Sequence, residues 1–211
     1  MHLQSIKMAK KQNKGTDLSS EEKIIAAARK VFTKKGYAAT RTRDIAEEAG
    51  MNLALLNYYY RSKEKLFQLV MTEKMQQLFG VIVPIVTNNE IKLETKIEQL
   101  ADKYIDMLSA NPDLPLFVLS EIKQNPEQFK KKMQLEKLIR NSSLIQQLKE
   151  KRPDIDPIHF LINILGMLVF PFIARPIIFG VDMENQDRFH AFIQQRKKLI
   201  PAWVKAMLAR K

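Results

Sequence analysis

Apolar side chains along this chain return every three or four positions, the spacing that gathers them on one side of a helix. Ile24, Ile25, Ala28, Val31 and Phe32 make the first such stripe. Ser19 and Glu22, spaced as a capping box, open that helix, and Gly36 closes it after Lys34 and Lys35. A short second helix is predicted from Arg43 to Ala49, with Ile45, Ala46 and Ala49 inward and Thr40 or Thr42 as its cap. Gly50 stops it, and a third helix runs from Leu53 to Tyr59 behind the cap Asn52. From Glu64 a long amphipathic helix carries Leu66, Phe67, Val70, Met71, Met75, Leu78 and Phe79, fading or kinking near Pro84 and Asn88. Further helices are predicted at about 91–109, 116–123, 126–151, 157–180 and 185–210. The fold class is all-α.

Only Gly50, Met51 and Asn52 separate the second and third helices. Two helices joined by so short a glycine-containing turn cross steeply, which is the helix-turn-helix arrangement. Its second helix is the one offered to a DNA major groove. Ile45, Ala46, Ala49, Met51, Leu56, Tyr59 and Tyr60 recur at spacings that close a small core. Leu53, Ala54, Leu55, Asn57 and Tyr58 are left for the groove. Asn57 can donate and accept toward adenine, Leu53, Ala54 and Leu55 can meet thymine methyls, and the Tyr58 hydroxyl can reach a phosphate. Asn52, at the start of this helix, joins the DNA-facing set. Arg43 can bond guanine or backbone, and Lys63, behind the cap Ser62 at a helix start that itself favours anions, is the strongest phosphate candidate.

Charge sharpens this picture. The net charge is +12, and through Lys65 there are 14 Lys and Arg against 7 Asp and Glu. A small basic N-terminal unit suits a polyanion such as DNA. Residues 1–18, with Lys7, Lys10, Lys11 and Lys14, read as a flexible basic arm; 19–65 as the DNA-binding unit; 66–211 as a helical effector-binding and dimerisation region. The start MHLQSIKMAKKQNKG carries no apolar run, so no secretory signal is predicted and the cytoplasm is the expected location. There is no cysteine, and His2, His159 and His190 pair with no second ligand at metal spacing. With no nucleophile elbow, phosphate loop or dinucleotide fingerprint either, neither metal nor cofactor is expected, and an enzyme is the weaker reading.

Three motifs stand in order: F-x-x-x-G-Y at Phe32 to Tyr37, T-x-x-x-D-I-A-x-x-A-G at Thr40 to Gly50, and L-x-x-Y-Y-x-S-K-E-x-L at Leu56 to Leu66. Together they resemble the tetracycline-repressor (TetR) family of bacterial regulators over about the first 70 residues. The resemblance implies a groove-facing role for Arg43, a helical C-terminal region with a small-molecule cavity, and a dimer built on the last two helices. The chain departs from the family pattern at Asn57, where a tyrosine is usual, and at Leu53 to Leu55, where the run is usually more polar.

The 24 residues from Pro157, PIHFLINILGMLVFPFIARPIIFG, are the most apolar in the chain. Their length fits a membrane span. His159, Asn163 and Arg175 interrupt them, and Pro171 and Pro176 are expected to break the helix, so burial by the bundle and by a second copy is the reading taken. Phe160, Ile164, Phe172, Ile177, Phe189, Phe192 and Trp203 are the candidate interface residues. Tyr104, Met107, Phe117, Phe129, Asn163, Met167 and Phe170 are the candidate cavity lining, apolar with few polar contacts. The function expected is a homodimeric transcriptional regulator, a repressor released from a palindromic DNA operator by a small hydrophobic effector, with no membrane partner. The alternatives are a DNA-compacting architectural protein or an enzyme using the apolar pocket.

Overall fold

A computed structural model describes residues 19–180 and 183–209; the basic arm read at 1–18 lies outside the described residues. Among those described there are eleven α-helices and no strand. The capping box forms as its spacing predicts, Ser19 Oγ accepting from the Glu22 amide and the Ser19 amide donating to Glu22 Oε2 at 2.8 Å. It opens α1 (Ser20–Ala39), which loses helical geometry at Gly36, φ 73°. Then come α2 (Thr42–Glu48) and α3 (Leu53–Tyr59). Ile24, Ala28 and Phe32 of α1, Ile45 and Ala46 of α2, and Leu56 of α3 are buried in the core. Tyr59 is not in it: it is 40% exposed and lies edge-on to Tyr58. Neither threonine caps α2. Thr40 is buried with its hydroxyl donating to the Gly36 carbonyl at 2.7 Å, and the first turn is closed instead by the Arg41 amide donating to the Asp44 carboxylate at 2.9 Å.

Ser62 opens α4 (Lys63–Val86), its hydroxyl accepting from the Lys65 amide. The helix passes through Pro84, where fading was expected. Proline there removes one bond, to the Gly80 carbonyl, and Gly80 is exposed, so solvent can take that acceptor. After α5 (Leu93–Ala110) and α6 (Leu114–Gln124), the single charged helix predicted at 126–151 is three: α7 (Pro126–Met133), α8 (Leu135–Arg140) and α9 (Ser143–Lys151). Gln134, left-handed at φ 46°, breaks the first join. At the second, Ser143 donates to the carbonyls of Val86 and Asn88, holding the start of α9 on the end of α4. Lys96, fully buried, adds to that corner by donating to the Ile91 carbonyl and to Gln147 Oε1.

The expected break in the apolar stretch does not occur, and α10 (Pro157–Ile178) runs unbroken through Pro171 and Pro176. Pro171 leaves the Met167 carbonyl without its helical donor. Arg196 Nη2 of α11 (Met183–Ala209) donates to that carbonyl at 2.7 Å, so a cross-helix bond replaces the missing internal one. The Arg196 guanidinium is also flanked by the rings of Phe192 and Trp203, and burial holds its pKa below the ordinary arginine value. Both α4 and α10 are long and apolar enough to cross a bilayer by length and composition, whereas the sequence reading singled out only the second. Here α4 lies against α1 and α5, and α10 against α5, α6, α9 and α11, which in turn lies along α5.

Candidate nucleic-acid interface

The turn between α2 and α3 is a Schellman motif. The Met51 amide donates to the Ala46 carbonyl and the Gly50 amide to the Glu47 carbonyl, satisfying two acceptors that end α2. Gly50 sits at φ 66°, a left-handed conformation that a side chain at this position would strain. Asn52 then turns the chain into α3, its Oδ1 accepting from the Leu55 amide at 2.8 Å. That bond sets the helix start and leaves the two amide N–H donors of the exposed Asn52 side chain unused by it.

Leu56 anchors α3 to the core, and the opposite side is open. Ala54, Asn57 and Tyr58 are exposed, Tyr58 by 80%, while Leu53 and Leu55 are half-buried at its flanks. Arg43, near the start of α2, is exposed, as are Arg41 before it and Arg61 after α3. The sequence reading passed over Arg41 and Arg61; their signal was charge placed in the short connections that flank the two helices. Two of the three carboxylates of α2 are drawn toward α1 instead. Lys35 Nζ lies 3.1 Å from Asp44 and Lys30 Nζ 2.6 Å from Glu48, both from α1. The Arg41 amide first, then Lys35, hold the Asp44 carboxyl below the usual range.

Lys63 has a different immediate task from the one its motif suggests. Its ammonium donates to the carbonyls of Tyr37 and Thr40, each at 3.0 Å, and lies 4.2 Å from the Tyr37 ring centroid. Two of its three donors therefore close the end of α1, and one is left for an anion. Tyr60 makes the matching tie at the other end, its hydroxyl donating to Glu21 at 3.0 Å. Burial, and secondarily Glu21, push the Tyr60 phenol up to about 12 from 10.0. The folded chain thus keeps a proton that the unfolded chain releases near pH 10, so this stabilisation is present below pH 10 and is lost as pH rises toward 12. Urea unfolding of Tyr60→Phe is expected to show a shallower loss of stability than the wild type across that window; parallel curves would count against the tie.

The second site is a half-open cavity of about 620 Å³ lined by α4, α5, α6, α9 and α10 and bordered by α7 and α8, with Ile162, Leu165 and Phe170 of its α10 wall exposed at the mouth. Its wall is almost entirely aliphatic and aromatic. Of the seven residues expected to line it, Tyr104, Phe129 and Phe170 do. Phe117 points the other way, packing 5.5 Å from Phe67, and Asn163 is exposed outside the wall, as Met107 and Met167 also lie outside it. Helical spacing gives a face but not which neighbour that face meets, and this is why four of the seven fall elsewhere. A similar correction applies to the candidate interface. Phe160, Ile164, Phe172 and Phe189 are buried within the single chain, Phe172 and Phe189 edge-on to each other at 5.5 Å. Phe192 is partly buried against Phe179. Ile177, 89% exposed, and Trp203 remain outside, with Ile158, Ile162, Leu165, Ile178 and Leu199 also exposed on these two helices.

Comparison with known proteins bears on both regions. Residues 24–70 match a family model described as bacterial regulatory proteins, tetR family. Over 198 residues the chain is 24% identical to the HTH-type transcriptional regulator YttP of Bacillus subtilis, covering 90% of this chain and 94% of that one. The HTH-type transcriptional repressor KstR2 of Mycolicibacterium smegmatis is 32% identical over 62 residues, 29% of this chain and 30% of that one. In fold, the chain is similar to the ketosteroid transcriptional regulator KstR2 of Mycobacterium tuberculosis, with TM-score 0.62 and 18% identity over 87% of this chain and 95% of the other.

Proposed function

We propose that this chain is a DNA-binding transcriptional regulator of the tetR family, two copies of which bind a palindromic operator as a repressor and release it when a small apolar effector fills the cavity. In this reading residues 19–65 are the DNA head, residues 66–211 hold the effector site and the dimer seam, and the protein acts in the cytoplasm. The observation that carries it is α3, held at a fixed angle by the Schellman turn at Gly50 with Asn57 and Tyr58 open to a groove. Arg41, Arg43, Arg61 and the remaining donor of Lys63 supply the flanking phosphate and base contacts. Asn57 and Arg43 read bases; Leu53, Ala54 and Leu55 meet methyl groups.

The link from cavity to head is short. Phe117 on α6 touches Phe67 on α4, and Phe67 touches Phe32 and Tyr37 of the head, while Val118 and Ile122 of the same α6 form cavity wall. α4 contributes to both ends as well, with Phe67 at the head and Leu78, Phe79, Ile82 and Val86 at the cavity. An effector that displaces α6 or α4 therefore turns the heads, and a coupling of about 1–3 kcal/mol is enough to lower DNA affinity from about fivefold to a hundredfold.

Selection of bound duplexes from a random pool tests the reading; a short inverted repeat should emerge, and uniform coverage of DNA would instead make this an architectural protein. On the selected site, Asn57→Ala should change sequence preference, costing about 1–3 kcal/mol on the preferred base. Arg61→Ala should weaken binding to all sequences and reduce the slope of log affinity against log salt by about 1. The same response to both variants on selected and random DNA would refute the assignment.

A further inference from the structure

The cavity wall carries an instruction about what can enter it. No lysine, arginine, histidine, aspartate or glutamate lines it, and its polar side chains are Tyr104 and Ser142. Ser142 is already occupied, its hydroxyl accepting from the Ile145 amide to cap α9 and donating to the Val86 carbonyl. The Tyr104 hydroxyl makes no hydrogen bond among the described residues, although the residue is buried between α5 and its neighbours. The oxygen itself is not sealed in protein, since Arg196 Nε is the one buried side-chain polar atom without a partner among the described residues, so the hydroxyl is open to the cavity. Burial also holds the Tyr104 phenol up to about 12, so near neutral pH it is a donor and not an anion.

We infer that this cavity takes an uncharged, lipid-like molecule carrying one hydrogen-bond acceptor, which the Tyr104 hydroxyl holds. The inference rests on the reading of the cavity as an effector site and narrows the class of effector. An anionic head group drawn fully inside would be buried opposite no cation, a cost that one phenol cannot offset. Lys130, Lys137 and Arg140 on α7 and α8 border an open groove and are absent from the cavity wall, although Lys137 also lines a neighbouring pocket that shares Phe79 and Leu138 with it. A volume near 620 Å³ lies within the range that ordinary small-molecule sites occupy.

The test is titration calorimetry of the full chain, free of DNA, with two probes of equal chain length: 1-dodecanol and dodecanoate, both at pH 8. Dodecanol should bind at least about tenfold more tightly than dodecanoate. Tyr104→Phe, which keeps the ring and its packing, should weaken dodecanol by about threefold to tenfold and leave dodecanoate unchanged. Equal or tighter binding of dodecanoate would overturn the inference by showing that a cation reaches the site, and binding of neither probe would overturn it as well. Undiminished dodecanol binding in Tyr104→Phe would remove the anchor. A separate arm measures release from the selected DNA site. Dodecanol that binds without releasing DNA defeats the regulatory reading while the ligand class stands; release by the carboxylate alone does the reverse.

Discussion

Phe67→Ala is expected to lower stability by about 3–5 kcal/mol, and to disconnect the effector from the DNA head in whatever fraction stays folded. The stability loss follows from burial: Phe67 is almost wholly covered and meets three aromatic rings, Phe32 at 5.1 Å, Tyr37 at 4.8 Å and Phe117 at 5.5 Å. Those neighbours belong to α1, to the segment after Gly36 and to α6, so no single one can collapse into the space without leaving another. Thermal unfolding monitored by circular dichroism measures the first effect. The second is separated from it by Phe67→Leu, which retains most of the apolar volume but no ring, and is expected to cost clearly less. If the ring contacts transmit the effector signal, Phe67→Leu should bind the operator with near-normal affinity yet respond less to effector than the wild type. Full responsiveness in Phe67→Leu would move the coupling onto the α4 backbone alone.

What could be read from residues alone divides along a physical line. Ser19 with Glu22, Asn52, Ser62 and Gly50 act within three or four positions of themselves, and all four are found doing what their spacing predicts. Features that depend on a distant partner were not legible. Pro171 looks like a helix break until Arg196 is known to serve the Met167 carbonyl from 29 positions away. Lys63 sits at an anion-favouring helix start, yet its side chain reaches back to the carbonyls of Tyr37 and Thr40, which only the packing of α1 on α4 brings near. Gln134 gave no sign of the left-handed turn that separates α7 from α8, because such a conformation is rare for its residue type. Apolarity is the weakest guide of all. It says that Phe160 and Ile177 both belong against something, and the first turns out to be sealed inside its own chain while the second is almost bare.

That contrast makes Ile177 the sharpest probe of the proposed seam. In one copy of the chain the side chain is 89% exposed, so Ile177→Glu replaces nothing packed and should change the stability of an isolated subunit by no more than about 0.5 kcal/mol. If a second copy covers α10 near its C-terminal end, the two-fold arrangement puts two new carboxylates into the same apolar contact. Each is desolvated without a partner, and a penalty of at least about 3 kcal/mol on association follows. A dimer weakened that far loses its simultaneous hold on two half-sites, and operator affinity should fall by about a hundredfold or more. Sedimentation at several concentrations, run beside operator titration, reads both quantities. The two losses must move together: a variant that stays dimeric with full affinity would place the seam elsewhere on α10 and α11, whereas a monomer that keeps full affinity would defeat the two-headed mechanism itself.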